Sequence, residues 1–102
     1  MGITAVLETE KGEAITTVDD PANLLHKILP APNDAGFQWA NTIDWYADTT
    51  FNRIQARLLR TEWARLVERT PDESARKLLM SIDDLLERCD AEQHLYVKFY
   101  GD

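Results

Sequence analysis

A single cysteine, Cys89, stands in 102 residues. That excludes an internal disulfide, and no Cys/His spacing suits zinc. Glycine is also thin. The four glycines are Gly2, Gly12, Gly36 and Gly101, and none lies in a loop that cradles phosphate. No serine stands in a G-x-S-x-G turn. No apolar run approaches the roughly 20 residues needed to span a bilayer, so no membrane contact is expected. Met1-Gly2-Ile3-Thr4 lacks the basic and then apolar stretch of a secretory leader. Basic residues are short too: 11 against 18 acidic ones, a net charge of −7. Phosphate contacts need basic surface, so nucleic-acid binding is disfavoured. These absences fit a reducing cytoplasm and imply no cofactor and no metal.

What is present describes a folded chain. Hydrophobic residues make up 44% of it, with three Trp, three Tyr and three Phe, which argues against disorder. The length suits one domain, residues 1–102, with one core. It is long enough to fold without a staple.

The sequence is organised around a helical hairpin from Thr49 to about Ala91. Its second helix carries Ala75, Leu78, Leu79, Ile82, Leu85, Leu86 and Cys89 on one narrow stripe of helical period. Cys89 reads as an inert core thiol. Thr70-Pro71-Asp72-Glu73 reads as a capping box, with Pro71 at the first helical position. The first helix is expected to start at Asp48 as N-cap. Its apolar set is Phe51, Ile54, Leu58, Leu59, Trp63, Leu66 and Val67. At 100° per residue these surround Gln55 and Glu62. A buried unpaired carboxylate is expensive, so Glu62 needs a partner or a route to water. The ordinary expectation is a hydrogen-bonded packing role; the sharper one is a groove lined by Gln55 and Glu62. The opposite face carries Arg53, Arg57 and Arg60, and such runs are usually solvated and paired.

Around the hairpin the chain reads as strands. Ile3–Glu10 alternates, Lys11-Gly12 suits a turn, and Ala14–Val18 is rich in β-branched residues. Asp20 and Pro21 start a short helix over Asn23–Leu29. Pro30–Gly36 is a loop. Phe37–Trp45 alternates and predicts a third strand, and Leu95–Tyr100 predicts a fourth. The expected fold is α+β, in the order β-β-α-β-α-α-β. About four mostly antiparallel strands would carry the hairpin on one face, with one short helix. The third and fourth strands should be adjacent, since a hairpin returns the chain to its starting end.

That topology gathers Asp44, Asp48, Asn52, Asp90, Glu92 and His94 near one end of the domain. Carboxylates beside a histidine can bind a cation or move protons. Capping and a solvated turn account for them as well, so no metal or catalytic residue is assigned.

Charge supplies the remaining signal. Residues 1–50 hold a net −6 and residues 51–102 a net −1. An acidic field steers basic partners. The first expectation is therefore a non-catalytic protein-interaction domain, such as an inhibitor or immunity-type protein for a basic partner. Asp19, Asp20 and Asp34 would supply charge. Tyr96, Lys98 and Tyr100 would supply a semi-polar aromatic strand face. One alternative is a ligand-binding or enzymatic domain using Gln55 and Glu62. Another is a homodimer or assembly component joined through the fourth strand's exposed face or a sheet edge.

Overall fold

The computed structural model of the chain describes residues 2–101. In chain order the elements are β1 (Thr4–Thr9), β2 (Ala14–Val18), the short helix α1 (Leu25–Ile28) and a 3₁₀ turn (Ala40–Thr42). There follow β3 (Thr49–Phe51), α2 (Arg53–Arg69), α3 (Glu73–Ala91) and β4 (Leu95–Tyr100). The strands form one antiparallel sheet in the order β2-β1-β4-β3. Helices α2 and α3 pack against each other and against the sheet. The fold is α+β, and the element order is the one expected from the sequence.

The β1–β2 turn needs its glycine. Gly12 has φ +83°, a region where a side chain is strained. Its N–H donates to Thr9 O at 2.9 Å, and Thr9 N–H donates to Glu13 O at 2.9 Å. Strand alternation then sorts the residues. Ala5 pairs with Phe99 and Leu7 with Val97, and all four are fully buried. They meet Leu59, Trp63 and Leu66 of α2 and Leu79, Ile82, Leu86 and Cys89 of α3, each with no exposed surface. Burying a side chain of this size contributes about 1.5–3 kcal/mol. Phe99 sits edge-on to Phe51, with ring centres 5.7 Å apart. Trp63 buries its indole and donates Nε1–H to Leu79 O at 2.8 Å, so the core holds no orphaned indole donor.

Several local expectations are corrected. Phe37–Trp45 forms no strand; the third strand is Thr49–Phe51. Inside 37–45 the buried residues are Phe37, Ala40 and Ile43. That spacing of three is the period of a 3₁₀ path, and it overrode the alternation of large residues. Helix α2 starts at Arg53, capped by Asn52 and not by Asp48. The capping box of the hairpin belongs to this helix. Asn52 Oδ1 accepts from Gln55 N–H, and Gln55 Oε1 accepts from Asn52 N–H, each at 2.9 Å.

Helix α3 is capped two residues later than expected. Asp72 accepts from Ala75 N–H at 2.9 Å. Thr70 instead closes α2, its hydroxyl donating to Leu66 O at 2.6 Å. Helix α1 covers four residues, fewer than the Asn23–Leu29 span. The apolar face of α2 is also narrower than expected: Ile54 and Leu58 point outward, 65% and 43% exposed.

Candidate functional site

Glu62 is buried and fully engaged. Its carboxylate accepts three consecutive backbone N–H groups: Gln38 at 2.7 Å, Trp39 at 3.0 Å and Ala40 at 2.8 Å. Successive amides of this kind form a concave anion site. Glu62 thus supplies from α2 the negative charge that the turn at Ala40–Thr42 needs. Neighbouring groups add to the grip. Arg65 donates to Gly36 O at 2.7 Å. Arg65 and Arg69 both lie over the Phe37 ring, 4.5 and 4.8 Å from its centre. Asn41 turns back and donates to Phe37 O at 2.6 Å and Asp34 O at 3.1 Å. A shallow cleft passes beside Glu62 and Leu58, but both carboxylate oxygens are already in use. Gln55 is engaged in its cap. The two residues therefore share a helix azimuth without forming a common site.

The other candidate surface is the sheet face opposite the helices. Residue alternation places Thr4, Val6 and Glu8 of β1 there, beside Tyr100, Lys98 and Tyr96 of β4 in that register. Thr50 of β3 and Thr17 of β2 extend the Val6–Lys98 row. The Tyr100 hydroxyl donates to the Glu8 carboxylate. These two residues stand two rows apart on the face, so their side chains reach across the Val6 row. This explains why Val6 and Glu8 are buried on a face without a helix. The hydrogen bond to Glu8, followed by desolvation, raises the Tyr100 pKa above the ordinary tyrosine value.

Lys98 lies 4.7 Å from the centre of the Tyr100 ring and 3.8 Å from Asp48. Loss of water works downward on its pKa; Tyr100, Asp48 and Glu8 outweigh that and hold it above the usual lysine value. Asp19 borders the same face, accepting from the Thr4 hydroxyl at 3.4 Å. Lys98, Tyr100, Glu8 and Asp48 thus form one connected polar cluster on this face, with Tyr96 and Asp19 beside it. Glu8 joins the residues singled out from sequence, and the Thr4-Val6-Glu8 half of the β1 alternation could have shown it. Asp48, expected as a helix cap, instead faces Lys98.

The remaining sequence candidates separate. Asp20 is buried, and its two carboxylate oxygens accept Leu24 N–H and Leu25 N–H at 2.8 Å each. It holds the amides at the entry to α1, whose N-cap position is Leu24 rather than Asp20, and offers little charge to a partner. Asp34 bonds Gly36 N–H at 2.9 Å within its own loop. The six residues expected near one end do not converge on a cation. Asp90 pairs with Arg57 at 2.8 Å, His94 with Glu10 at 3.2 Å, Arg88 with Glu92 at 3.4 Å and Asp48 with Lys98. Among the described residues no group of three His, Cys, Asp or Glu side chains is placed to hold a metal ion. No helix among them is long and apolar enough to cross a membrane.

The arginine face of α2 is tied to α3. Arg60 bonds Asp83 at 3.0 Å and Glu87 at 3.2 Å, and Arg53 donates to Asp90 O at 2.9 Å. Cys89 donates to Leu95 O at 3.3 Å. Burial pushes its thiol pKa up to about 11, so little reactive thiolate forms at neutral pH. Comparison with protein-family models, with curated proteins and with solved structures finds no match to this chain.

Proposed function

We propose that the chain is a non-catalytic interaction domain that docks a basic protein surface, as an inhibitor or immunity-type protein would. The observation that carries this reading is the open sheet face. Tyr96, Tyr100 and Lys98 lie there among Glu8, Asp19 and Asp48. Tyrosines give contact area at small entropic loss, and a polar aromatic patch of this kind suits a protein interface. The accessible carboxylates of Asp19 and Asp48 favour a basic partner. The Gln55–Glu62 alternative draws no support from the geometry, since both side chains are occupied by backbone groups.

The test is capture of partners from extract of the native cell across a salt series. The wild-type chain is compared with a variant carrying Asp19→Lys and Asp48→Lys. The expected result is a stoichiometric basic protein that dissociates as salt rises and is retained far less by the variant. A partner held equally by both proteins would overturn the electrostatic reading.

A second reading has its own observation. Strand β2 is a sheet edge, and Ala14, Ile15, Thr16 and Thr17 are all exposed. Such an edge can pair with a second copy. Light scattering over a wide concentration range decides it: a constant monomer mass would remove the homodimer.

A further inference from the structure

Arg57, Arg60, Lys77 and Arg88 of the hairpin each pair with a carboxylate. Arg53 and Arg65 donate to backbone carbonyls instead. Lys27 and Arg69, like Arg76, have no carboxylate partner among the described ion pairs. Both line the same cleft, of about 600 Å³, between α1 and the turn joining α2 to α3. This volume lies within the range of small-molecule sites, about 300–1,000 Å³. Its apolar wall comes from Leu24, Ile28, Pro71 and Ala75. The one acid in the lining, Asp72, already accepts from Ala75 N–H at 2.9 Å.

The Arg69 side chain is held in place. Its guanidinium carbon sits 4.8 Å from the centre of the Phe37 ring. A ring that contacts the guanidinium through its face leaves the in-plane N–H donors open, and a planar fork of donors matches a carboxylate. Two cations against one committed acid leave the cleft with a local charge of +1, in a chain whose net charge is −7.

We propose that this cleft binds a small monoanion with an apolar body, an aliphatic or aromatic carboxylate. Arg69 and Lys27 take the carboxylate, and the body lies along Leu24, Ile28 and Pro71. The cleft lies among the helical elements and is separate from the open sheet face, so the assignment does not depend on the protein-partner reading.

The experiment is an amide NMR titration of the full chain with hexanoate, hexanamide and inorganic phosphate. Hexanoate is expected to give saturable shifts at Lys27, Ile28, Thr70 and the Asp72–Ala75 amides. Lys27→Gln and Arg69→Gln should each weaken it by about tenfold, the loss of one charge-assisted contact. Lys27 is exposed, and a dispersed amide spectrum for its variant verifies the fold before titration. Hexanamide and phosphate should both bind more weakly than hexanoate. Absence of saturable shifts with hexanoate, or unchanged binding in both variants, would overturn the site. Phosphate or hexanamide binding as tightly as hexanoate would overturn the amphipathic assignment.

Discussion

The hairpin α2–α3 buries Leu59, Trp63, Leu66, Leu79, Ile82, Leu85, Leu86 and Cys89. The segment from Pro30 to Asp48 buries Pro30, Phe37, Ala40 and Ile43. The first region is held by apolar area, and its backbone bonds are internal to its helices. The second has one 3₁₀ turn and borrows partners from α2: Glu62 for three amides and Arg65 for Gly36 O. Side chains of its own serve the rest, as Asp44 does for the Tyr46 and Ala47 amides. An apolar contact is nondirectional and shared among many neighbours, so losing part of it loosens the whole core. A buried hydrogen bond is directional and local, and its loss leaves particular groups unpaired.

The sharpest way to break the hairpin side is Leu86→Ala. A fully buried leucine should cost about 3 kcal/mol on truncation, read as a lowered urea midpoint. The loss should appear in every probe at once, including amides of β1 and β4. A drop confined to α3 would contradict the account of one shared core.

The counterpart on the other side is Glu62→Ala, which leaves three amides without their acceptor. The expected loss is about 2–3 kcal/mol. Hydrogen exchange should quicken at Gln38, Trp39 and Ala40 well before it does in α3. Glu62→Gln keeps one acceptor oxygen and should fall between the two proteins. Uniform acceleration over the whole chain would remove the distinction between the regions.

The smallest effect is expected at the hairpin's polar outer face. Arg60→Ala removes a half-buried pair with Asp83 and an exposed one with Glu87. The cost should be about 0.5 kcal/mol and shrink as salt rises. A loss comparable to that of Leu86→Ala would mean that the outer pairs carry the hairpin.

The same contrast decides what could be read in advance. Helical period made α3 plain, because Leu79, Ile82, Leu86 and Cys89 keep one azimuth over three turns. Alternation made β1 and β4 plain, and with them the face bearing Tyr96, Lys98 and Tyr100. Periodicity failed at Phe37–Trp45, since the same large residues that suggest a strand serve a path whose buried positions are three apart. The caps sit a few residues beyond the positions the sequence suggests, at Asn52 and Asp72. Asp48, Thr70 and Asn52 are all competent side chains, and tertiary contacts chose among them. The need of Glu62 for a partner was legible from its place on α2; the identity of that partner was not. Three backbone amides more than twenty positions away carry no side-chain signature. The Lys27–Arg69 cleft was equally hidden, because its walls come from α1 and from the far end of the hairpin.

Glu62 also has a consequence for chain entropy. Its acceptors join residues separated by 22 to 24 positions, closing a loop that runs through β3 and much of α2. The entropic penalty of closing a loop grows only slowly with its length, by about 0.6 kcal/mol per doubling. One multiply bonded carboxylate can therefore hold a long excursion almost as readily as a short one. A protein with a second cysteine could tie such a loop covalently. Here the tie is a cluster of hydrogen bonds to one carboxylate, which forms without redox chemistry.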